Sequence, residues 1–164
     1  MTTDVVNDNN YLSPIRFAFQ IDTPDLENIS FHCQKVNIPG LSTGPVQGNY
    51  QGYGPKFTGD RLVFDNFQTT FIVDEQMDNY SAVYTWLFNS VVKQKEKEQD
   101  HHKDVALLIY NNNNNFSIKI KFISAIPVSL SPVEFTVTNT GTEYLYADVS
   151  FAMDYYIIEP ARAS

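Results

Sequence analysis

The chain has 164 residues, enough for one domain with a buried core and too few for two comfortable ones. Hydrophobic residues make up 43% and aromatics 14%, with ten Tyr and twelve Phe, a composition that suits pleated, half-buried surfaces and favours an all-β protein. Nineteen acidic against eleven basic residues leave a net charge of −8, which excludes the basic footprint of tight nucleic-acid binding, and a single cysteine excludes an intramolecular disulfide.

The opening "MTTDVVNDNNYLSP" has acidic residues and no apolar core of signal-peptide length, and no run of eighteen apolar residues follows, so a soluble intracellular product is expected. Residues 1–13 read as a flexible N-terminal arm, 14–158 as one domain and 159–164 as a C-terminal tail. "IRFAFQI" (15–21) alternates Ile15, Phe17, Phe19 and Ile21 with Arg16, Ala18 and Gln20, the period of a strand with one buried face. "TPDLEN" is a turn by composition, and "ISFHCQKV" (29–36) reads as a second strand that pairs back on the first as a hairpin.

Residues 37–60, "NIPGLSTGPVQGNYQGYGPKFTGD", hold six of the seven glycines. Such a stretch turns freely but offers little side chain to bury within its own subunit. A mobile surface loop is the plain reading; the sharper one is an arm or edge hairpin that orders on a neighbouring subunit, because long loops in compact domains are usually functional. "RLVFDNFQTTFIVDE" (61–75) sets Phe67, Thr69, Phe71 and Val73 on one face, with an expected bulge at Asp65-Asn66.

The period then changes. Tyr80, Val83, Tyr84, Leu87, Phe88 and Val91 follow the stripe of an amphipathic helix over about 79–93, with Asp78 or Asn79 as cap and Asp74 and Glu75 near the positive end of its dipole. The mixed-charge "KQKEKEQDHHKD" is expected to cross the surface. "DVALLIY" (104–110) and "FSIKIKFIS" (116–124) read as strands joined at "NNNNN", a hairpin tip because asparagine tolerates left-handed angles and caps turns with its own amide. "AIPVSLSPVEFTV" (125–137), with two prolines, reads as an irregular link to a short strand at 133–137. The last long strand is expected over 143–158, with Leu145, Ala147, Val149, Phe151, Met153, Tyr155 and Ile157 on one face.

Chemical sites are weak. His32 and Cys33 are neighbours in a strand, so their side chains point to opposite faces and cannot share a site; Cys33 reads as a small buried hydrophobe beside Phe31 and Ile29. His101-His102 lack the spacing that lets two imidazoles bind one metal from a helix. "GYGPKFTGD" lacks the Gly-Lys-Ser/Thr of a phosphate loop, and Asp60, Asp65, Asp148 and Asp154 are scattered. No catalytic, cofactor or metal residue is assigned, and no enzyme activity is expected.

The order of elements is informative where single motifs are not. "FHCQKVNIPG", the glycine-rich stretch running into "GDRLVFDNFQTTFIVDEQMDNYSAVYTWL", and the closing "YADVSFAMDYY" together resemble the tail tube proteins of contractile-tailed, T4-like phages over roughly residues 14–157. The pentaasparagine tip, "KEKEQDHHKD" and the tail beyond Tyr156 depart from that pattern.

The resemblance implies a small β-sandwich or barrel of two packed antiparallel sheets with one flanking helix. It implies hexameric rings joined edge to edge and stacked helically into a hollow conduit for DNA inside a contractile sheath. It also implies a virion protein made in the host cytoplasm, whose partners are itself, the sheath, baseplate and tail terminator proteins, and the tape-measure protein and later DNA in the lumen, with no membrane and no cofactor. Six copies would carry about −48, a field that repels phosphate from a narrow channel. Expected contacts between rings or subunits are Gly44, Pro45, Gly48, Tyr50, Gly52, Tyr53, Gly54 and Pro55, with the N-terminal arm and residues 93–104 next. The rival structural readings are a tube protein of a type VI secretion or other contractile injection system and a baseplate-proximal initiator. The rival of another class is a monomeric β-barrel that binds a ligand among its aromatic side chains.

Overall fold

A computed structural model describes residues 12, 14–22, 32–48, 52, 54, 56–93, 101–137 and 143–160. Eleven strands and one helix follow in the order β1 (Phe17–Ile21), β2 (Cys33–Val36), β3 (Leu41–Thr43), β4 (Val46–Gln47), β5 (Lys56–Phe57), β6 (Leu62–Phe64), β7 (Phe67–Ile72), α1 (Asp78–Val92), β8 (Lys103–Tyr110), β9 (Phe116–Leu130), β10 (Tyr146–Ala152) and β11 (Tyr155–Pro160). All pairings are antiparallel. The main ladder runs β1-β8-β9-β10-β7-β2, with β11 on the other side of β9's first half. The fifteen-residue β9 therefore serves two sheets: its start pairs β8 and β11, and its end pairs β10. Between them Ser124 takes φ 58, its N–H donates to Asp104 Oδ1 at 3.2 Å, and the β8 register slips opposite it, as a bulge that bends a strand should.

The core lies between the two sheets and under the helix. Phe67 stacks on Phe122 at 4.3 Å and on Phe151 at 4.9 Å, and Trp86 reaches Phe151 at 5.6 Å. Phe67, Thr69 and Phe71 all point inward, as their alternation requires. The asparagine tip is a turn: Asn111 Oδ1 accepts from the N–H groups of Asn113 and Asn115 at 3.0 and 2.9 Å, and Asn114 sits at φ 63.

Several expected elements differ. β2 pairs with β7, not with β1. β1 instead sets Phe17, Phe19 and Ile21 opposite Ile109, Leu107 and Val105, three apolar cross-strand pairs that the polar β2, with Gln34 and Lys35, cannot match. Ile15, expected on the buried face, precedes the strand and is exposed. The stretch 61–75 is two strands, broken at Asp65-Asn66.

The helix spans Asp78–Val92, and neither Asp78 nor Asn79 caps it. Met77 occupies the cap position at φ 56 with no side-chain bond. Asn79 is instead buried: its Oδ1 accepts from the Tyr80 and Asp74 N–H groups at 2.8 and 3.2 Å, and its Nδ2 donates to the Ile72 carbonyl at 2.8 Å, pinning the helix start to the end of β7. The inward face is Asn79, Val83 and Trp86, whose indole N–H donates to the His101 carbonyl at 2.7 Å. Tyr84, Phe88 and Val91 of the expected stripe are exposed. The apolar surface of α1 is wider than one sheet can cover, and the sheet takes the side that carries the Trp.

β9 continues through Pro127 to Leu130, where an irregular link was expected. Pro127 lies opposite Phe151 at a register shift, a place where a missing N–H is tolerated. No strand forms at 133–137; Phe135 and Val137 stand in solvent. The expected strand over 143–158 breaks at Met153-Asp154, and its second half crosses from β7's sheet to β8's. The crossing reverses the parity, so Tyr156 turns toward Phe122 while Tyr155 and Ile157, expected inward, are exposed. Among the described residues no helix is long and apolar enough to cross a membrane.

Candidate assembly surfaces

The described residues between 37 and 64 form an arm. After β2, Ile38-Pro39-Gly40 leads into a ribbon in which Leu41, Ser42 and Thr43 pair with Phe64, Val63 and Leu62, and farther out Val46 and Gln47 pair with Phe57 and Lys56. Partners directly opposite in an antiparallel ribbon share a face, so Leu41 with Phe64 and Val46 with Phe57 are apolar pairs. Five of the arm's apolar side chains, Leu41, Val46, Phe57, Leu62 and Val63, are between 50% and 59% exposed. The hydrophobic core contains none of them. What holds the arm is its root: Tyr156 Oη donates to the Pro39 carbonyl at 3.5 Å, Phe64 meets the Tyr156 ring edge-on at 5.5 Å, and the Asp65 N–H donates to the Gly40 carbonyl at 3.1 Å.

The expected contact residues fall along this arm. Gly44 and Pro45 are exposed between β3 and β4, Gly48 follows β4, and Gly52 and Gly54 lie between β4 and β5. Tyr50, Tyr53 and Pro55 are outside the described residues. Gly52 takes φ +87, a turn angle that a side chain disfavours. Gly59 is tight for a different reason: a Cβ there would run into the Gly44 carbonyl, whereas a Cβ on Gly44 meets open space. Gly59→Ala is therefore expected to splay the ribbon and suppress assembly while the thermal midpoint of the core stays unchanged. Gly44→Ala should keep the arm intact, as read by the arm's amide signals in two-dimensional NMR and by particle counts in electron micrographs.

Sequence reasoning pointed to the arm through its glycines and missed its apolar pairs, because five hydrophobes spread between Leu41 and Val63 show no period until the two strands are aligned. It also missed two other exposed apolar surfaces. One is the outer side of α1, where Tyr84 and Phe88 stack at 6.0 Å. The other is the segment after β9, where Phe135 and Tyr144 are 72% and 66% exposed. The outer face of the β2-β7-β10 sheet is different in kind: a groove of about 520 Å³ lined by Asn37, Gln68, Thr70 and Ser150, uncharged hydrogen-bonding groups, with one cation, Lys35, and one anion, Asp148.

The residues that suggested chemistry do not converge. His101 Nε2 lies 3.3 Å from the Lys93 carbonyl at the end of α1 and His102 Nδ1 lies 3.2 Å from the Ser124 carbonyl of β9, so the two rings serve different elements. No three His, Cys, Asp or Glu residues group for a metal among the described residues. His32 is exposed, and Cys33, on the opposite side, is half-buried rather than fully buried, with Sγ 3.0 Å from Thr69 Oγ1. Phe31 and Ile29 are outside the described residues.

Burial pushes the Cys33 thiol above its ordinary value, against smaller opposite effects of the hydrogen bonds with Thr69 and the Lys35 carbonyl. Iodoacetamide at pH 8 should alkylate Cys33 on the order of tenfold more slowly in the folded protein than in urea. The sign for stability follows. The contribution is fully present below the ordinary thiol value and is lost as pH rises through the folded thiol's higher value, so Cys33→Ala should flatten a decline in stability at alkaline pH.

The family model for phage tail tube proteins matches residues 8–159. The chain belongs to the phage tail tube protein family. No curated protein matches it by sequence. Among solved structures, a chain from the cryo-EM structure of the anti-feeding prophage cap, a tube-terminating cap, superposes with a TM-score of 0.74 at 17% identity, covering 98% of this chain and 99% of that one. A chain of the sheath-tube complex of the extracellular contractile injection system PVC, in the extended state, gives 0.65 at 16% identity over 98% and 99%. Hcp1 from Salmonella typhimurium gives 0.53 at 11% identity over 90% and 87%. At these identities the likeness is one of fold, and the tail tube fold accounts for both sheets and the helix.

Proposed function

We propose that the protein is a structural tube subunit: copies join sheet edge to sheet edge into hexameric rings, and rings stack through the arm into the hollow conduit of a contractile tail. The observation that supports this reading is the arm, a pre-formed ribbon whose apolar pairs are exposed and suited to cover by a neighbour. Edge strands β1, β2 and β11 lack an outer partner among the described residues, a hazard for a monomer and an interface for a ring. The sheath, baseplate and terminator proteins are its partners along the tail, and the tape-measure protein and then DNA occupy the lumen without specific binding. The protein is a virion component made in the host cytoplasm and has no enzymatic role.

DNA passes because nothing holds it. One outer sheet face balances Lys119 and Lys121 against Asp104 and Glu159, with Lys121 bridged to Asp104 at 3.0 Å; the other carries Lys35 and Asp148 among hydroxyl and amide groups. Neither face offers a basic track for phosphate, and the surplus acid of the chain keeps the tube repulsive as a whole. A positive lumen surface in an assembled ring would sink this part of the reading.

The same surfaces would serve an injection-system tube or a baseplate-proximal initiator, consistent with a fold shared with Hcp1. Negative-stain electron microscopy of the purified protein tests the main reading: six-fold rings or rods are expected, and dispersed monomers that bind an apolar dye would favour the ligand-binding barrel.

A further inference from the structure

The arm and the exposed aromatic segment leave opposite ends of one sheet. β2 ends at Val36 beside Thr69 and feeds the arm, which returns at Phe67 opposite Phe151. At the far end of the same strands Ile72 pairs with Tyr146, and β9 heads toward that end: Leu130 lies opposite Val149 at the level of Thr69, and the next residue, Ser131, donates its N–H to the Asp148 carbonyl at 2.8 Å. Five residues of extended β7 separate the two ends, roughly 17 Å.

The two ends also differ in charge. The described part of the arm carries Lys56 and Arg61 against Asp60, while Asp65 at its root is turned against Gly40. The far end, residues 72–80, 131–137 and 143–146, carries Asp74, Glu75, Asp78, Glu134 and Glu143 and no lysine or arginine. The same segments carry Phe135, Val137 and Tyr144, all well exposed. One end is thus an apolar ribbon with two cations and one carboxylate, and the other a set of exposed apolar side chains on segments that carry five carboxylates and no cation.

We infer that the arm of one copy docks on the Phe135-Val137-Tyr144 patch of the next, with Lys56 and Arg61 set against Glu75 and Glu134. The inference rests on the tube reading and names the surface that receives the arm. A contact between unlike surfaces at opposite ends of one sheet is head-to-tail, so it repeats without closing on itself, as a stack requires. The apolar groups supply the attraction, and the opposed charges fix polarity, because arm against arm or acid end against acid end would set like charges together.

The test compares the wild type with four variants, one of them the arm deletion, by sedimentation velocity and electron microscopy. Phe135→Ser/Tyr144→Ser is expected to keep the wild-type circular dichroism and thermal midpoint, since both side chains lie in solvent in the subunit, and to raise the protein concentration needed for rods by about tenfold or more. Lys56→Glu/Arg61→Glu should likewise stop stacking, and adding Glu75→Lys/Glu134→Lys should restore it. Rods from Phe135→Ser/Tyr144→Ser at the wild-type concentration, or a charge swap that fails to restore stacking, would overturn the inference. If those variants stack normally while deletion of the arm abolishes rods, the tube reading stands and only the docking surface is wrong. If the wild type forms neither rings nor rods, both fall together.

Discussion

Deletion of residues 44–56 is expected to leave a folded, soluble subunit that forms no rods at any accessible concentration. The cut joins Thr43 to Phe57, so the β3-β6 pairing can still close through the short connection 57–61. The root contacts of Tyr156 with Pro39 and Phe64 also survive. Nothing in the core is touched, because the core draws on β1, β7, β8, β9, β10 and α1. What is lost is the β4-β5 ribbon with Val46, Phe57's partner, and Lys56, the distal half of the surface a neighbour would cover. Thermal melting within a few degrees of the wild type, together with a monomer or unstacked ring in the ultracentrifuge, is the expected pair of results. Rods of normal length from the deletion would remove the arm from the stacking contact.

Phe67→Ala should act in the opposite way, by unfolding the subunit before assembly is at issue. Phe67 is 0% exposed and lies nearly parallel to two rings, 15° from Phe122 and 14° from Phe151, which belong to the two halves of the fold joined by β9 and β10. Truncation removes the side chain's transfer energy and leaves a cavity between rings that cannot close on it, at a cost of about 3–5 kcal/mol. Against a typical total of about 5–15 kcal/mol this is severe. The expected outcome is insoluble protein at 37 °C and, where soluble at low temperature, a urea midpoint far below the wild type. Phe67→Leu should recover part of the loss, since it restores volume but not the two ring contacts, each worth about 0.5–1.5 kcal/mol. A denaturation curve for Phe67→Ala within 1 kcal/mol of the wild type, to be read against the same range for cavity formation, would show that the ring stack is not central to the core.

Alternation along one strand was readable; the partner of that strand was not. Phe67, Thr69 and Phe71 declared their face by period, and the asparagine run declared a turn by chemistry, because both signals are local. β2 could not declare that it belongs beside β7, since its pairing depends on residues more than thirty positions away. The break at Met153-Asp154 was hidden for a related reason: alternating apolar residues continue through it, and only the crossing between sheets reverses which of them are buried. In α1 every residue of the expected stripe is truly apolar, but Trp86, one position from Leu87, decided the inward side. The arm was legible as a region from its glycines. The patch at Phe135 and Tyr144 was not, because a Pro-containing hydrophobic stretch reads equally as a short strand or an exposed loop.

β9 has a mechanical consequence. Its residues 116–125 belong to one sheet and 126–130 to the other, so a single covalent chain runs through both layers and turns at Ser124. For one sheet to slide over the other, β9 would have to tear from β10 on one side or from β8 and β11 on the other, several hydrogen bonds at once. A thrust delivered at the arm's end of the subunit is therefore carried to the opposite end by the backbone itself, and the subunit moves as a stiff block whose compliance lies in its contacts with its neighbours.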